Sequence, residues 1–457
     1  MTLIMKFGGT SVGDGGRIKS VAGIVSKAAK KDKVAVVVSA MAGVTDSLLK
    51  AAESAQKSSE HDIDNFVREL RKRHMEAVDF AVRKKKESIR KAIDEMSDEL
   101  KKELLKIRKS GLTQQGKDAV AAFGEKMSAA ILSGALSDLA PSEWYHGDDR
   151  LIITNDNYVN AEPDMEATEA EVRKRISPQM EKGIIPVVTG FMGSTPEGRT
   201  TTLGRGSSDH IASILGACLD ASEVQIWTDV DGLLTADPKV VSNAKLLDTV
   251  SFKEARELAY FGAKVIHPQT MLPAMRKGIP IRILNTHNLG SRGTLIMKEG
   301  GRQEGVVKAL TAKKGVTLID VVSSRMLAAH GFLAKLFDVF SRYSISVDMV
   351  STTEVSVSMT VDNGLNGKLD SVVKDLKEIS SVRLLEDRAL ICVVGEGIRH
   401  IPGIAGRAFS RLGASGINVE CISQGASEIS ISFVVKNSDA DRAVRLLHDE
   451  FFPEVSG

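Results

Sequence analysis

Lys6-Phe7-Gly8-Gly9-Thr10-Ser11 puts a cation at the end of an apolar run, then two glycines, then two hydroxyls. Glycines let backbone N–H groups approach phosphate oxygens closely, and an ammonium neutralises charge on a transferring phosphoryl group. By itself the segment reads equally as a tight turn. It lacks the G-x-x-x-x-G-K-S/T spacing of a Walker A loop. No G-x-G-x-x-G follows a strand either, which disfavours a dinucleotide-binding fold. Ser39-Ala-Met-Ala-Gly-Val-Thr45-Asp46 follows the β-branched run Val34–Val38. Small and hydroxyl residues at such a strand end face ligands in α/β sheets, although an ordinary loop with Thr45 capping a helix fits as well.

Thr200 to Asp209 contains Gly204-Arg205-Gly206-Ser207-Ser208-Asp209. A guanidinium between glycines suits a carboxylate, and the helix start suits an anion; Asp209 as a plain N-cap is the alternative. Trp227-Thr228-Asp229-Val-Asp231-Gly232 also ends a strand, with Asp237-Pro238-Lys239 beyond it. In Gly262-Ala-Lys264-Val265-Ile-His267-Pro268 the lysine could reach a nucleotide phosphate, whereas His267 before a proline reads as structural.

Elements must hold these segments. Leu3–Phe7, Val34–Val38, Ile184–Thr189, Val224–Thr228 and Ile281–Leu284 read as buried strands. Arg17–Lys30, Gly124–Leu139, Ser208–Leu219 and Ser251–Tyr260 have helical spacing. Such alternation predicts an α/β fold with a largely parallel sheet. Residues 51–110 depart from it, being helical in period and dense in charge. A solvated helical excursion is the plain reading, a phosphate- or RNA-binding face the other. The Gly- and charge-rich stretch near 296–305 marks a domain boundary. Beyond it, Ile345–Ser351 and Glu354–Val361 repeat as Ile417–Ser423 and Glu428–Val435, offset by 72 and then 74 residues. With their flanking helices these make two βαββαβ units. The second runs out of chain before its fourth strand, and residues 306–312 form a spare strand that would complete it, with the first unit inserted between.

Composition agrees with a soluble globular protein. The 61 Lys+Arg and 59 Asp+Glu give a net charge of +2, against a general nucleic-acid binder. Three scattered cysteines, Cys218, Cys392 and Cys421, fit neither a disulfide scaffold nor a zinc knuckle and suit a reducing cytoplasm as buried thiols. No signal-peptide pattern opens the chain, and no stretch reads as the roughly 18 to 20 apolar residues of a membrane span.

The motifs KFGGTSV (Lys6–Val12), SAMAGVTD (Ser39–Asp46), FGEKMSA (Phe123–Ala129), TTLGRGSSD (Thr201–Asp209), WTDVDG (Trp227–Gly232) and GAKVIHP (Gly262–Pro268) occur in this order. Together they resemble aspartate kinases of the amino-acid kinase family, and the C-terminal repeats resemble that family's paired ACT domains. The resemblance covers essentially the whole chain. It implies an αβα sandwich over 1–297, with the excursion 51–110 inside it, and a linker at 298–305. Two ferredoxin-like ACT units would follow over 306–457, the first (about 316–387) inserted in the second (306–315 plus 388–457). It implies ATP- and Mg2+-dependent phosphorylation of the L-aspartate β-carboxylate. Lys6 would stabilise the moving phosphoryl group, and Asp209 would orient Lys6. Ser39, Thr45, Glu125, Arg205 and Ser208 would hold aspartate, with Arg205 on its α-carboxylate. Lys6, Phe7, Gly8, Gly9, Thr228, Asp229, Lys239, Lys264 and Val265 would contact the nucleotide, and no protein ligand to the metal is expected. Three positions depart from the family pattern: Ser207 replaces a frequent glycine, Leu234 a tyrosine and Lys239 an arginine.

The ACT pair implies feedback control by lysine, threonine or both. The implied effector site uses Met326, Phe332, Leu333, Val347, Asp348, Thr352, Thr353 and Glu354. The carboxylates of Asp348 and Glu354 suit lysine ammonium groups, although Asp348 also reads as a solvent-facing strand residue. ACT units commonly pair across subunits, so a homodimer or homotetramer follows. Two other readings are a kinase for glutamate, N-acetylglutamate or carbamate, and an amino-acid sensor that has lost its chemistry. The second conflicts with the presence of Lys6, Arg205, Asp209 and Lys264. Ending at Gly457 after the second ACT unit, the chain is expected to carry no dehydrogenase domain.

Overall fold

A computed structural model describes residues 1–204, 206–261, 266–300, 306–323, 330–364, 367–425 and 429–453. The chain forms two compact units, Met1–Gly232 with Ile266–Glu299, and Leu233–Val265 with Gly300–Gly457. The single boundary expected near 296–305 therefore does not describe the compaction. Residues 233–265 group with the second unit because Ala236 and Val241 belong to its core and the Thr235 hydroxyl bonds His448 Nε2 at 2.9 Å.

The strands up to the second unit's sheet are β1 (Thr2–Phe7), β2 (Lys33–Val38), β3 (Ser142–Tyr145), β4 (Ile185–Thr189), β5 (Met192–Ser194), β6 (Thr200–Thr202), β7 (Glu223–Thr228), β8 (Thr249–Ser251), β9 (Ile281–Asn285) and β10 (Thr294–Met297). In the first unit the sheet runs β3-β4-β2-β1-β7-β9-β10. Neighbours are parallel up to β9, and β10 is antiparallel to β9. The continuous β-branched run of β2 suits a strand buried on both faces.

Strand period decides which side each residue serves. Leu3, Met5, Phe7, Val34, Val36 and Val38 enter one core cluster, which also takes the Gly15–Ala29 and Phe123–Leu136 helices. Ile4 and Lys6 point to the other face. The Ser207–Cys218 helix covers that face: Gly216 lies so close that a Cβ would come within 2.6 Å of Val224 Cγ2 and 3.9 Å of Ile4 Cγ1. Lys6 and the first turn of this helix are thereby brought to one side of the sheet.

The charged excursion contains the helices Glu60–Ala81 and Lys86–Ser110, the first opened by a Ser59–Asp62 capping box. Only one flank of each is solvated. Val67, Leu70 and Val78 of the first, and Ile89, Ile93, Leu100 and Leu104 of the second, join the same core cluster as β1 and β2. One stretch, Gln114–Leu136, does prove long and apolar enough by composition to cross a bilayer, contrary to expectation; 89% of its window is buried inside the protein, as in a core helix. Cys218 and Cys392 are buried, whereas Cys421 is half-buried.

In the second unit, β11 (Ala309–Val322), β12 (Met349–Thr352), β13 (Ser356–Asp362), β14 (Ser381–Val394), β15 (Cys421–Ser423) and β16 (Ser430–Lys436) form an antiparallel sheet in the order β12-β13-β11-β14-β16-β15. The spare strand is the first half of β11. Ala309–Lys314 pairs with Val394–Ala389, beside β16; Val316–Val322 pairs with the other half of β14, beside β13. The register shifts between Lys314 and Leu318, where the two four-stranded sets meet. Each set covers its own core, one around Phe433 and Leu447, the other around Met359 and Phe340.

Candidate active site

β1, β2, β4 and β7 are parallel, so their carboxyl ends open to one edge, where α/β sheets bind ligands. Phe7-Gly8-Gly9, Ser39-Ala40, Gly190-Phe191 and Thr228-Asp229 lie at those four ends. Gly8 N donates to Trp227 O (3.2 Å), and the Phe7 and Trp227 rings stack with centroids 5.8 Å apart, joining the first loop to the fourth. A Cβ on Gly9 would stand 2.9 Å from Ala40 O, so only glycine lets the first two loops approach backbone to backbone. Between them opens a cavity of about 350 Å3, lined by Lys6, Gly9, Ser39, Thr45, Glu125 and Ser208 among others.

Lys6 Nζ meets Asp209 Oδ1 at 2.5 Å, and both side chains are only about a tenth exposed (11% and 12%). Asp209 lies in the first turn of the Ser207–Cys218 helix without serving as its N-cap, a place taken by Gly206. The simple-cap reading therefore falls. A fixed carboxylate here holds the ammonium at the cavity wall.

Glu125 enters from the Phe123–Leu136 helix and is 3% exposed. Oε1 accepts from Ala40 N at 3.1 Å, while Oε2 makes no hydrogen bond among the described residues. Burial pushes this carboxyl up to about 8, against the pull of the Ala40 bond.

Thr202 ends β6, which pairs with β5 as a ribbon. The chain then turns at Gly204 (φ +85°), where a Cβ would strike Asn160 Oδ1 at 2.7 Å. Arg205 lies outside the described residues. The unusual Ser207 is accommodated without strain: its hydroxyl donates to Gly204 O at 2.6 Å, so the added group ties the loop to itself. Spacing alone missed Phe191, which lines the cavity at φ +66°. The signal was present, since it follows a strand end as Ser39 does.

On the nucleotide side, Thr228 Oγ1 donates to Asp229 Oδ1 at 3.1 Å. Lys239 belongs to the other compact unit, where its N–H bonds Asp237 at 2.9 Å. Lys264 and Val265 lie outside the described residues. His267 Nδ1 accepts from Gln269 N at 3.4 Å and caps the Pro268–Met271 turn, in keeping with a structural role.

The amino acid kinase family model matches residues 1–285, and an ACT-domain model matches 319–377 and 391–451. Aspartokinase 1, chloroplastic, from Arabidopsis thaliana is 37% identical over 99% of this chain and 80% of its own length. The lysine-sensitive aspartokinase 3 of Escherichia coli is 33% identical over 98% and 99%. The chain belongs to the amino acid kinase family, among its aspartokinases. The crystal structure of E. coli aspartokinase III in complex with aspartate and ADP (R-state) superposes with a TM-score of 0.84 at 33% identity, covering 99% of this chain and 100% of that one. The same enzyme in complex with lysine and aspartate (T-state) gives 0.80 at 32%, covering 99% of each.

The ACT pair has its own buried charges. Asp348 is not solvent-facing: its side chain is 5% exposed, Oδ2 accepts from Lys313 Nζ at 2.7 Å, and Oδ1 accepts from the Tyr260 hydroxyl at 3.2 Å. Burial alone would lower the Lys313 ammonium, but hydrogen bonds to Asp348 and Asp362 outweigh it and hold it above its ordinary range. The repeat places Glu420 where the first unit has Asp348, and Glu420 pairs with Arg388 at 2.5 Å. Phe332 and Leu333 begin the Phe332–Arg342 helix, with Leu333 exposed. Val347 precedes β12, Thr352 ends it, and the Thr353 hydroxyl bonds Ser356 in the turn that holds Glu354. Met326 lies outside the described residues.

Proposed function

We propose the following division of labour in this aspartokinase. The chain transfers the γ-phosphoryl group of ATP to the β-carboxylate of L-aspartate, giving 4-phospho-L-aspartate and ADP, the first step towards lysine, threonine and methionine. A carboxylate oxygen attacks the γ-phosphorus as the bond to ADP breaks. That nucleophile is already anionic near neutral pH, so no strong base is required. Catalysis is then positioning and charge neutralisation.

The Lys6–Asp209 pair carries this reading, because it fixes one ammonium at the wall of a cavity that Lys6, Glu125 and Ser208 all line. Lys6 neutralises the moving phosphoryl oxygens, and Asp209 orients it. Phe7, Gly8 and Gly9 line the phosphate side, where the Gly8 N–H is held by Trp227 O. Glu125 receives the aspartate ammonium, Arg205 its α-carboxylate, and Ser39, Thr45 and Ser208 complete the pocket. Thr228, Asp229, Lys239, Lys264 and Val265 serve the nucleotide.

Mg2+ fits as an ion carried by the nucleotide. Among the described residues, the one cluster of three ligating side chains is His146, Asp148 and Asp149, none of which lines this cavity, and Asp209 is engaged by Lys6. Phosphate oxygens and water would hold the ion, which would add neutralising charge on the phosphates.

The ACT units make the enzyme allosteric. Lysine acts at Met326, Phe332, Leu333, Val347, Asp348, Thr352, Thr353 and Glu354 of the first, in a cytoplasmic homodimer or homotetramer. An effector shifts activity only by its differential affinity for two states. The test is aspartyl phosphate formation from ATP and L-aspartate, trapped as the hydroxamate, with and without lysine and threonine. Turnover suppressed by lysine is expected. Suppression by threonine alone would overturn the effector assignment, and nucleotide binding without turnover would overturn the reaction.

A further inference from the structure

The run Arg71-Lys72-Arg73 lies on the charged excursion, in the Glu60–Ala81 helix, and the mechanism uses none of it. Helical period separates its members. Arg71 and Lys72 are exposed and Arg71 pairs with Asp94, whereas Arg73 is half-buried. Ala77 and Phe80, four and seven residues on, share the flank of Arg73. That flank lies hard against Gly15: a Cβ there would stand 2.9 Å from Ala77 O and 2.7 Å from Phe80 Cβ.

Arg73 Nη2 donates to Ala42 O at 2.8 Å and to Gly13 O at 3.3 Å. Those carbonyls belong to different loops. Gly13 closes the turn Gly9–Val12 that follows β1, and Ala42 lies between β2 and the Val44–Ser54 helix. The loops touch: a Cβ on Gly13 would be 3.7 Å from Ala42 Cβ, and one on Gly9 would be 3.5 Å from Ala42 Cα. Carbonyl oxygens converging on one point repel, and a cationic donor between them replaces that repulsion with a charge-assisted bridge. Arg17 adds a second guanidinium to the first loop, its Nη1 donating to Thr10 O at 2.7 Å. Gly9, Met41, Ala42 and Gly43 line the Lys6 cavity, whereas Arg73 and Arg17 do not. Arg73 therefore holds both loops from outside the cavity and touches no ligand there.

We propose that Arg73 is a positioning residue for phosphoryl transfer: by bridging Gly13 O and Ala42 O it fixes the spacing between the loop of Gly8 and Gly9 and the loop of Ser39 and Thr45, and so between the donor phosphate and the acceptor carboxylate. This rests on the assignment of the first loop to the phosphates and of the second to aspartate made above. The spacing of two bound reactants acts on the transfer step more than on either affinity. The single-turnover rate of aspartyl phosphate formation, trapped as the hydroxamate with both substrates saturating, reads that step. Arg73→Met in the full chain should slow it about tenfold to a hundredfold, with the steady-state KM of each substrate within about threefold of the original. An unchanged rate, or a rise in either KM as large as the fall in rate, would overturn the proposal.

Arg73→Lys supplies the rescue. Both bonds use one nitrogen, so an ammonium, with three donors and the same charge, can replace it. Its transfer rate should stay within about threefold of the original. A rate in Arg73→Lys as low as in Arg73→Met refutes the bridge. If Arg73→Met does not fold, Arg73→Gln keeps an amide donor and loses the charge. It should still slow transfer about threefold, with an unmoved rate counting against the proposal. The two readings fail separately. No aspartyl phosphate from the unmodified enzyme faults the assigned reaction, whereas full-speed transfer in Arg73→Met beside a working parent faults only the bridge.

Discussion

Glu125 and Asp348 are both buried carboxylates, and both are assigned to ammonium groups of amino acids. Their surroundings differ. Glu125 has one oxygen on Ala40 N and the other without a partner among the described residues, and its proton is held up to about 8. Asp348 is already spanned by Lys313 and Tyr260. On the proposed assignment, Glu125 would be a preformed half-pair that ionises on binding substrate, and Asp348 would exchange one ammonium for another. The first arrangement favours affinity, since little must be broken. The second makes effector binding a competition, so that the net gain is the difference between two ion pairs and not the whole of one.

The largest effect should come from the group both substrates need. Lys6→Ala should lower kcat about 10^2- to 10^3-fold while the thermal midpoint stays within a few degrees; near-normal turnover would remove the ammonium from the mechanism. Glu125→Gln should raise the aspartate KM about 10- to 100-fold and leave the ATP KM alone. The pH dependence sharpens the point. Below about 8 the free enzyme holds this carboxyl protonated, and an ammonium needs it ionised. The aspartate KM should thus climb as pH falls from 8, by up to about tenfold per unit. Glu125→Gln should flatten that slope, and a slope that survives would place the titration elsewhere.

Smaller effects are expected at the paired carboxylate. Asp348→Asn should weaken lysine inhibition about tenfold without changing uninhibited turnover, since Lys313 keeps Asp362 at 2.9 Å. Lys313→Met should do the reverse, tightening lysine inhibition about threefold by removing the competitor. Equal or weaker inhibition in Lys313→Met would show that Lys313 supports the effector and does not compete with it.

Much of this was legible in residue order. The strand β2 was read within one residue because five β-branched or small apolar residues in a row have no other comfortable place in an α/β protein. The Ser207–Cys218 helix was equally clear, as Ser208–Leu219, from its hydroxyl and Asp209 start and its apolar period. The long strand β11 was legible only in part, as the spare strand 306–312, and β14 not at all, since each serves both four-stranded sets and the alternation slips at the Lys314–Leu318 bulge. The excursion 51–110 was read as helical but too freely solvated. Charge density is visible in sequence, whereas the core that covers Val67, Leu70, Ile93 and Leu100 is built by residues from elsewhere.

Sequence by itself determined the chemistry on offer: an ammonium before two glycines, an arginine between two more, an acid in FGEK, and twin repeats with an acid in each. Tertiary structure alone decided the pairings. It set Lys6 against Asp209, gave Asp348 to Lys313 and Glu420 to Arg388, and turned the buried Asp118 onto the backbone N–H of Thr202. The physical reason is range. Local spacing governs which face of a strand or helix a residue occupies, but which faces meet depends on sheet order and on burying whole surfaces at once. A charge taken from water then has to find its partner among whatever that burial brings near.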